Sequence, residues 1–305
     1  MNLSRLFKLG PLPSKNYVDY NLSAIICEDA ANVFPVDKYL RETKISAELI
    51  GSRDIIKSLF PDIENRKNVK ITESISQKDS ILKLLETAKT QSDKHTVLSI
   101  PTSHLSILAA ALPEEYSFTS VSIFTLPESE RAVLLTDAFL EYQPTPATLA
   151  KLAENAHRIF KLFSDKKPKT AFLSANEKAS DKVASTLNAQ QAAELSRENM
   201  LAEGPLSFDL SLSPASADIK QYKGEIRGDA DILVAPRRET ASALYFSWKN
   251  FANLHPINIA FINNTPLFYC DPSDSDISKL LSAEFAITSK VKGPLNKNDT
   301  NTQEA

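Results

Sequence analysis

The chain has 305 residues, 42% hydrophobic and 24% charged, with a formal net charge of −3; it is long enough for two domains with cores of their own and carries no general electrostatic attraction for nucleic acid. Only six residues are glycine, against roughly 7% in an average chain, and no two stand at GxGxxG or GxxxxGK[ST] spacing, which excludes phosphate-cradling nucleotide loops. Cys27 and Cys270 are too few for a disulfide framework, and His95, His104, His157 and His255 show no metal-ligand spacing, so a reducing, cytoplasmic setting with no bound metal is expected.

The segment from Met1 to Tyr20 is cut by Gly10, Pro11 and Pro13 before any apolar run of signal length, and no stretch approaches the roughly 20 apolar residues of a membrane span. Leu22 to Cys27 reads as a buried strand, followed by a helical stretch interrupted near Pro35. Ala47 to Gly51 reads as a strand, and Ser52 stands where it would cap a helix that Pro61 ends. A strand at Val69 to Thr72 precedes a helix in which Ile81, Leu84, Leu85 and Ala88 repeat at helical spacing. Val97 to Ile100 is a strand, Leu105 to Leu112 a helix, and the apolar runs Val121 to Leu126 and Ala132 to Thr136 form a hairpin.

A break falls at Tyr142 to Pro146, after which Thr145 caps a helix with Pro146 at its first position. Thr170 to Ala175 is a strand, Glu177 to Met200 a polar helix, and Gly204-Pro205 a turn. Asp231 to Ala235 and Ile257 to Ile262 read as strands around a helix from Glu239 to Asn253, and Leu267 to Cys270 is a short strand before a last helix from Ser275 to Phe285. The polar tail beyond Lys290 reads as disordered. Strands alternating with helices predict an α/β fold with a largely parallel sheet in two lobes.

Five segments resemble, in order, one family. AELIGSRDI at Ala47 to Ile55 is similar to its "LVGDREKI", LLTDAF at Leu134 to Phe139 to "LLTDAA", and EGPLSFD at Glu203 to Asp209 to "DGPLALD". GDADILVAPRRETASALY at Gly228 to Tyr245 is similar to "GKADILLVPDIEAGNILY", and Thr265 to Ala286 to "APVVLTSRADSPEEKLYSIALA". The resemblance is to phosphate acetyltransferases and phosphate butyryltransferases, nearer the butyryl branch, over about residues 20 to 288. It implies a two-lobe fold similar to isocitrate and isopropylmalate dehydrogenase, with an interlobe cleft and a homodimer. The lobes would be residues 1–143 with about 272–290, and 144–271, leaving 291–305 as the tail. The implied reaction moves an acyl group between phosphate and coenzyme A, so coenzyme A or acyl-CoA enters as substrate and no cofactor is held.

That chemistry needs cations for the phosphate dianion, donors for the tetrahedral oxyanion and a base for the thiol. From His95 through Glu130 the sequence has no lysine or arginine, after Arg238 it has no arginine, and between Lys249 and Lys279 it has no lysine. The family's Ser-Arg pair falls on Asp271-Pro272 or, slid by two residues, on Ser273-Asp274, and its upstream arginine falls near Ser106 or Ile107. Its acidic residue in the last helix falls on Asp276 or Ser278. The cleft candidates are therefore Asp137, Asp209, Asp271, Asp274 and Asp276, with Arg237, Arg238 and His104 as a relocated anion site. Two readings stay open: a phosphate acyltransferase with a rearranged anion site, and a member that has lost the chemistry and serves as an acyl-CoA-binding or scaffolding subunit.

Overall fold

The structure, a computed structural model, describes residues 19–28, 31–90, 95–113, 118–127, 131–198 and 200–289. The expected tail at 291–305 and the first 18 residues lie outside these. The strands are β1 (Tyr20–Ile25), β2 (Ser46–Gly51), β3 (Val69–Glu73), β4 (His95–Pro101), β5 (Val121–Thr125), β6 (Ala132–Thr136), β7 (Lys169–Leu173), β8 (Leu201–Leu206), β9 (Ile232–Val234), β10 (Ile257–Ile262) and β11 (Thr265–Cys270). The α-helices are α1 (Val33–Glu42), α2 (Arg53–Leu59), α3 (Gln77–Thr90), α4 (Leu105–Ala111), α5 (Pro146–Phe160), α6 (Ala184–Ser196), α7 (Phe208–Leu212), α8 (Pro214–Ile219), α9 (Arg238–Phe251) and α10 (Asp276–Thr288).

All the strands join one sheet in the order β3-β2-β1-β4-β11-β10-β5-β6-β9-β7-β8. Pairing is parallel except at β11–β10, β10–β5 and β5–β6, so the α/β, largely parallel architecture is the one expected. The antiparallel ladders sit in the middle, where β10 and β11 lie between β4 and β5.

Alternation along the central strands explains how the sheet is covered. Val121 and Ile123 of β5, Leu134 of β6, Ile257 and Ile259 of β10, and Phe268 of β11 share one face with α1, α5, α6 and α10 in a single core that runs across the molecule. The other face carries two separate cores. One holds Phe124, Val133, Leu135, Leu233 and Tyr245 under α9; the other holds Leu98, Leu267 and Tyr269 under α3 and α4.

Several local expectations are corrected. Pro35 does not interrupt a helix: it lies in the first turn of α1, where no intrahelical bond is lost. Ser52 precedes α2 but makes no capping bond with its side chain; the Glu73 carboxylate accepts from Arg53 N–H at 3.2 Å instead. Thr145 caps α5 as expected, accepting from Thr148 N–H at 3.1 Å. Gly204-Pro205 is not a turn but the middle of β8; because Pro205 has no N–H to give, the ladder with β7 shifts register between Ala171 and Leu173. The polar helix shortens to Ala184–Ser196, since Thr186 Oγ1 accepts from Ser180 N–H at 2.9 Å and holds the preceding segment in a turn.

Candidate functional site

The two cores on the α9 face meet at a polar seam. Phe139, just beyond β6, packs edge-on against Tyr245 of one core at 5.1 Å and Tyr269 of the other at 5.5 Å. Around it, positions that alternate with core residues on β5 and β10 are polar: Ser122 Oγ donates to Asn258 Oδ1 at 2.8 Å, and both residues are buried. The Tyr269 hydroxyl donates to the Val121 carbonyl at 3.1 Å.

α9 supplies the rest. Ala241, Tyr245 and Lys249 stand four residues apart and so lie on one helix face; the first two are buried, and the Lys249 side chain is only 7% exposed. The aromatic rings of Phe246 and Tyr245 lie 4.8 and 5.2 Å from its ammonium, a contact that favours a desolvated cation.

Four donors, two from α9, one from β10 and one from the turn after β11, converge on the Asp274 carboxylate, itself 5% exposed. Oδ1 accepts from the Tyr245 hydroxyl at 2.8 Å and from Lys249 Nζ at 3.1 Å. Oδ2 accepts from Asn258 Nδ2 at 2.9 Å and from the Asp271 N–H at 3.1 Å. Lys249 Nζ also reaches Asp271 Oδ1 at 3.3 Å and Ser273 Oγ at 2.5 Å. Burial pushes the Asp274 carboxyl up, with Lys249 and the hydrogen bonds pulling it back; burial and the Asp274 charge push the Tyr245 hydroxyl well up. The arrangement is an anion cradle already filled by the protein's own carboxylate.

Asp137 also lies on the seam, buried, at the end of β6. Its carboxylate accepts from Ser120 N–H, Phe139 N–H and Leu140 N–H, each at 2.9 Å, and from the Ser120 hydroxyl. Burial raises its pKa against those bonds. The bonds from Phe139 and Leu140 close the turn that presents Phe139, and those from Ser120 tie it to the segment before β5. Asp271 holds a turn of its own, accepting from Ser273 N–H at 3.0 Å, and Asp276 occupies the first turn of α10, whose cap is Ser275.

The remaining candidates are spread out. Asp209 is exposed and pairs with Lys220, which also bonds Glu177 and Ser207 Oγ, both at 2.7 Å. Arg237 is exposed at the start of α9, and the Arg238 guanidinium lies 4.6 Å over the Tyr142 ring. Eleven helical residues, about 16 Å of rise, separate Arg238 from Lys249. His104 is 1% exposed and its Nδ1 lies 3.1 Å from Ser103 Oγ. Among the described residues no group of histidine, cysteine and carboxylate side chains could hold a metal, and no helix is long and apolar enough to cross a membrane.

The sequence reading missed Lys249, Tyr245, Asn258 and Ser122. Its search for a cation followed the segments of the resemblance, whereas the cation arrives from a helix 22 residues before Asp271. Two signals were present: a lysine continuing the buried stripe of α9, and single polar residues alternating with isoleucine and valine in β5 and β10.

Residues 102–257 match the family model described as "Phosphate acetyl/butaryl transferase". A probable phosphate butyryltransferase of Bacillus subtilis is 29% identical over 199 residues, covering 62% of this chain and 66% of the relative's length. A phosphate butyryltransferase of Clostridium acetobutylicum is 25% identical over 266 residues, covering 83% of this chain and 88% of the relative. Among solved structures, a branched-chain phosphotransacylase from Enterococcus faecalis superposes with a TM-score of 0.72 at 25% identity, covering 89% of this chain and all of that one.

Proposed function

The chain belongs to the phosphate acetyl/butyryl transferase family, and from that premise we propose that it is a member whose anion pocket is occupied from within, so that exchange of an acyl group between phosphate and coenzyme A is weak or lost and an acyl-CoA-binding or scaffolding role remains. One observation carries this reading: the segment on which the family's Ser-Arg pair falls contributes Asp274, and Lys249, Tyr245, Asn258 and the Asp271 N–H all donate to it. A phosphate dianion at this place would have to displace a carboxylate from four donors and then sit beside it and Asp271. Charge-assisted bonds of about 1.5–3 kcal/mol each hold the carboxylate.

A relocated site at Arg237, Arg238 and His104 has less support. Arg238 is engaged with Tyr142, and His104 is buried after β4. The homodimer and the cytoplasmic setting belong to the same reading.

The test is to mix purified protein with butyryl or acetyl phosphate and coenzyme A and follow thioester formation. The expected rate lies well below about 1 per second, the low end of ordinary turnover; a rate at or above that overturns the reading. Coenzyme A at about 100 times its dissociation constant would stabilise a binder by about 2.7 kcal/mol, and absence of any thermal shift would remove the acyl-CoA role and leave the scaffold.

A further inference from the structure

A second place in the molecule gathers cationic donors that the protein's own carboxylates satisfy only in part. Between the end of α1 and the starts of β2 and β3 lies a cavity of 470 Å³ lined by Leu40, Arg41, Thr43, Lys44, Arg66 and Asn68. These residues precede the N-terminal ends of β2 and β3, whereas Asp271 and Asp274 follow the C-terminal end of β11, which runs parallel to them through β4 and β1. A strand length, about 20 Å, therefore separates the cavity from the seam.

Three cations line the cavity, and one carboxylate, Asp37, contacts two of them, Arg41 and Arg66. Arg41 Nε donates to Asp37 Oδ2 at 2.6 Å, while Arg66 Nη2 stands 3.7 Å from Asp37 Oδ1, beyond hydrogen-bond reach. Arg66 Nη1 and Asp37 Oδ1 are buried with no hydrogen-bond partner among the described residues. Lys44 is exposed, and among the described residues no carboxylate lies within ion-pair distance of it. Asp62 adds a more distant negative charge to Arg41. The lining thus holds an excess of about two positive charges over Asp37, and a buried guanidinium N–H without an acceptor is costly.

We propose that this cavity binds a small organic phosphate, its dianionic head held by Arg41, Lys44 and Arg66 and its carbon portion lying against Leu40. The phosphate head matches the excess charge and the planar fork of guanidinium donors. The volume is several times what an inorganic anion fills, and the pocket opens broadly to solvent, so the carbon portion would stay partly exposed. A long polyanion fits less well, because the chain as a whole carries a net charge of −3.

Calorimetric titration of the full chain with adenosine 5′-monophosphate and with glucose 6-phosphate tests this, with inorganic phosphate and sulfate titrated separately. Saturable binding of at least one ester is expected, weakened roughly tenfold by Lys44→Gln and by Arg66→Gln, one charge-assisted contact each, with backbone amide shifts at Thr43, Lys44 and Asn68. No saturable binding of either ester, binding untouched by both substitutions, or equal binding of inorganic phosphate would overturn the proposal. Lys44→Gln removes an exposed side chain, so it carries the test even if Arg66→Gln disturbs folding.

Discussion

At the scale of single residues, Asp274 behaves as a tethered anion. Removing it with Asp274→Ala leaves Lys249 buried with Asp271 as its one carboxylate and Ser273 Oγ beside it, together with three neutral donors aimed at an empty place. Breaking a buried charge pair in this way costs about 3–5 kcal/mol, read as a lowered urea midpoint at pH 7. Because the four donors remain, sodium formate should restore part of the loss relative to sodium chloride at equal ionic strength, and the parent protein should gain nothing from formate. Equal behaviour in the two salts would show that the cradle collapses without its carboxylate. Asp137→Asn tests the other carboxylate on the seam. Its Oδ1 and Oδ2 both face N–H donors, so an amide must turn its own donors toward one of them, for about 1–3 kcal/mol of destabilisation. The sequence made both aspartates candidates, Asp137 because it follows an apolar run in the LLTDAF match and Asp274 because the family's Ser-Arg segment falls beside it. It did not yield their distant partners, because Ser120 stands just before β5, Asn258 on β10, and Tyr245 and Lys249 on α9, and only the closed sheet brings these together.

At the scale of elements, the legible parts are those whose signals are local. α5 announces itself through Thr145, Pro146 and an apolar stripe, and each central strand through a short apolar run. β8 was illegible because Gly204-Pro205 carries a turn signature in a strand that pairs with β7 and packs against α6. The unit formed by β2, β3 and α3 offers a pH test of the same kind of tertiary closure. Glu48 on β2 is buried, which raises its pKa, but bonds from Lys70 and Thr72 on β3 and Thr87 on α3 outweigh burial and hold it below the usual carboxylate range. The unfolded chain therefore binds this proton more readily than the folded one. The stabilisation is complete above the unfolded pKa of about 4.3 and is lost as pH falls through the folded pKa. Glu48→Gln should be less stable than the parent by about 1–3 kcal/mol at pH 7, and the gap should close toward pH 3. A gap that persists in acid would mean that packing, not charge, gives Glu48 its role.

At the scale of the whole molecule, the question is what couples the two halves of the sheet, since the α9 face has two cores and a polar seam between them. On the opposite face, Val121, Ile123, Leu134, Ile257, Ile259 and Phe268 belong to one continuous core across the same strands. At about 1.5–3 kcal/mol for each buried side chain, these six contribute roughly 10 kcal/mol or more, against the 3–5 kcal/mol set by the Asp274 network. The shared core should therefore decide cooperativity, and the seam should only adjust stability. The chain's single tryptophan, Trp248, reports on one side of the seam, stacked edge-on against Phe124 at 4.9 Å, while far-ultraviolet circular dichroism reports on every helix. In urea the two signals should share one midpoint in the parent protein, as a single cooperative transition requires. They should still coincide in Asp274→Ala, at a lower urea concentration. If the tryptophan transition separated from the dichroism transition in that variant, the polar seam rather than the shared apolar face would be what makes the sheet one folding unit.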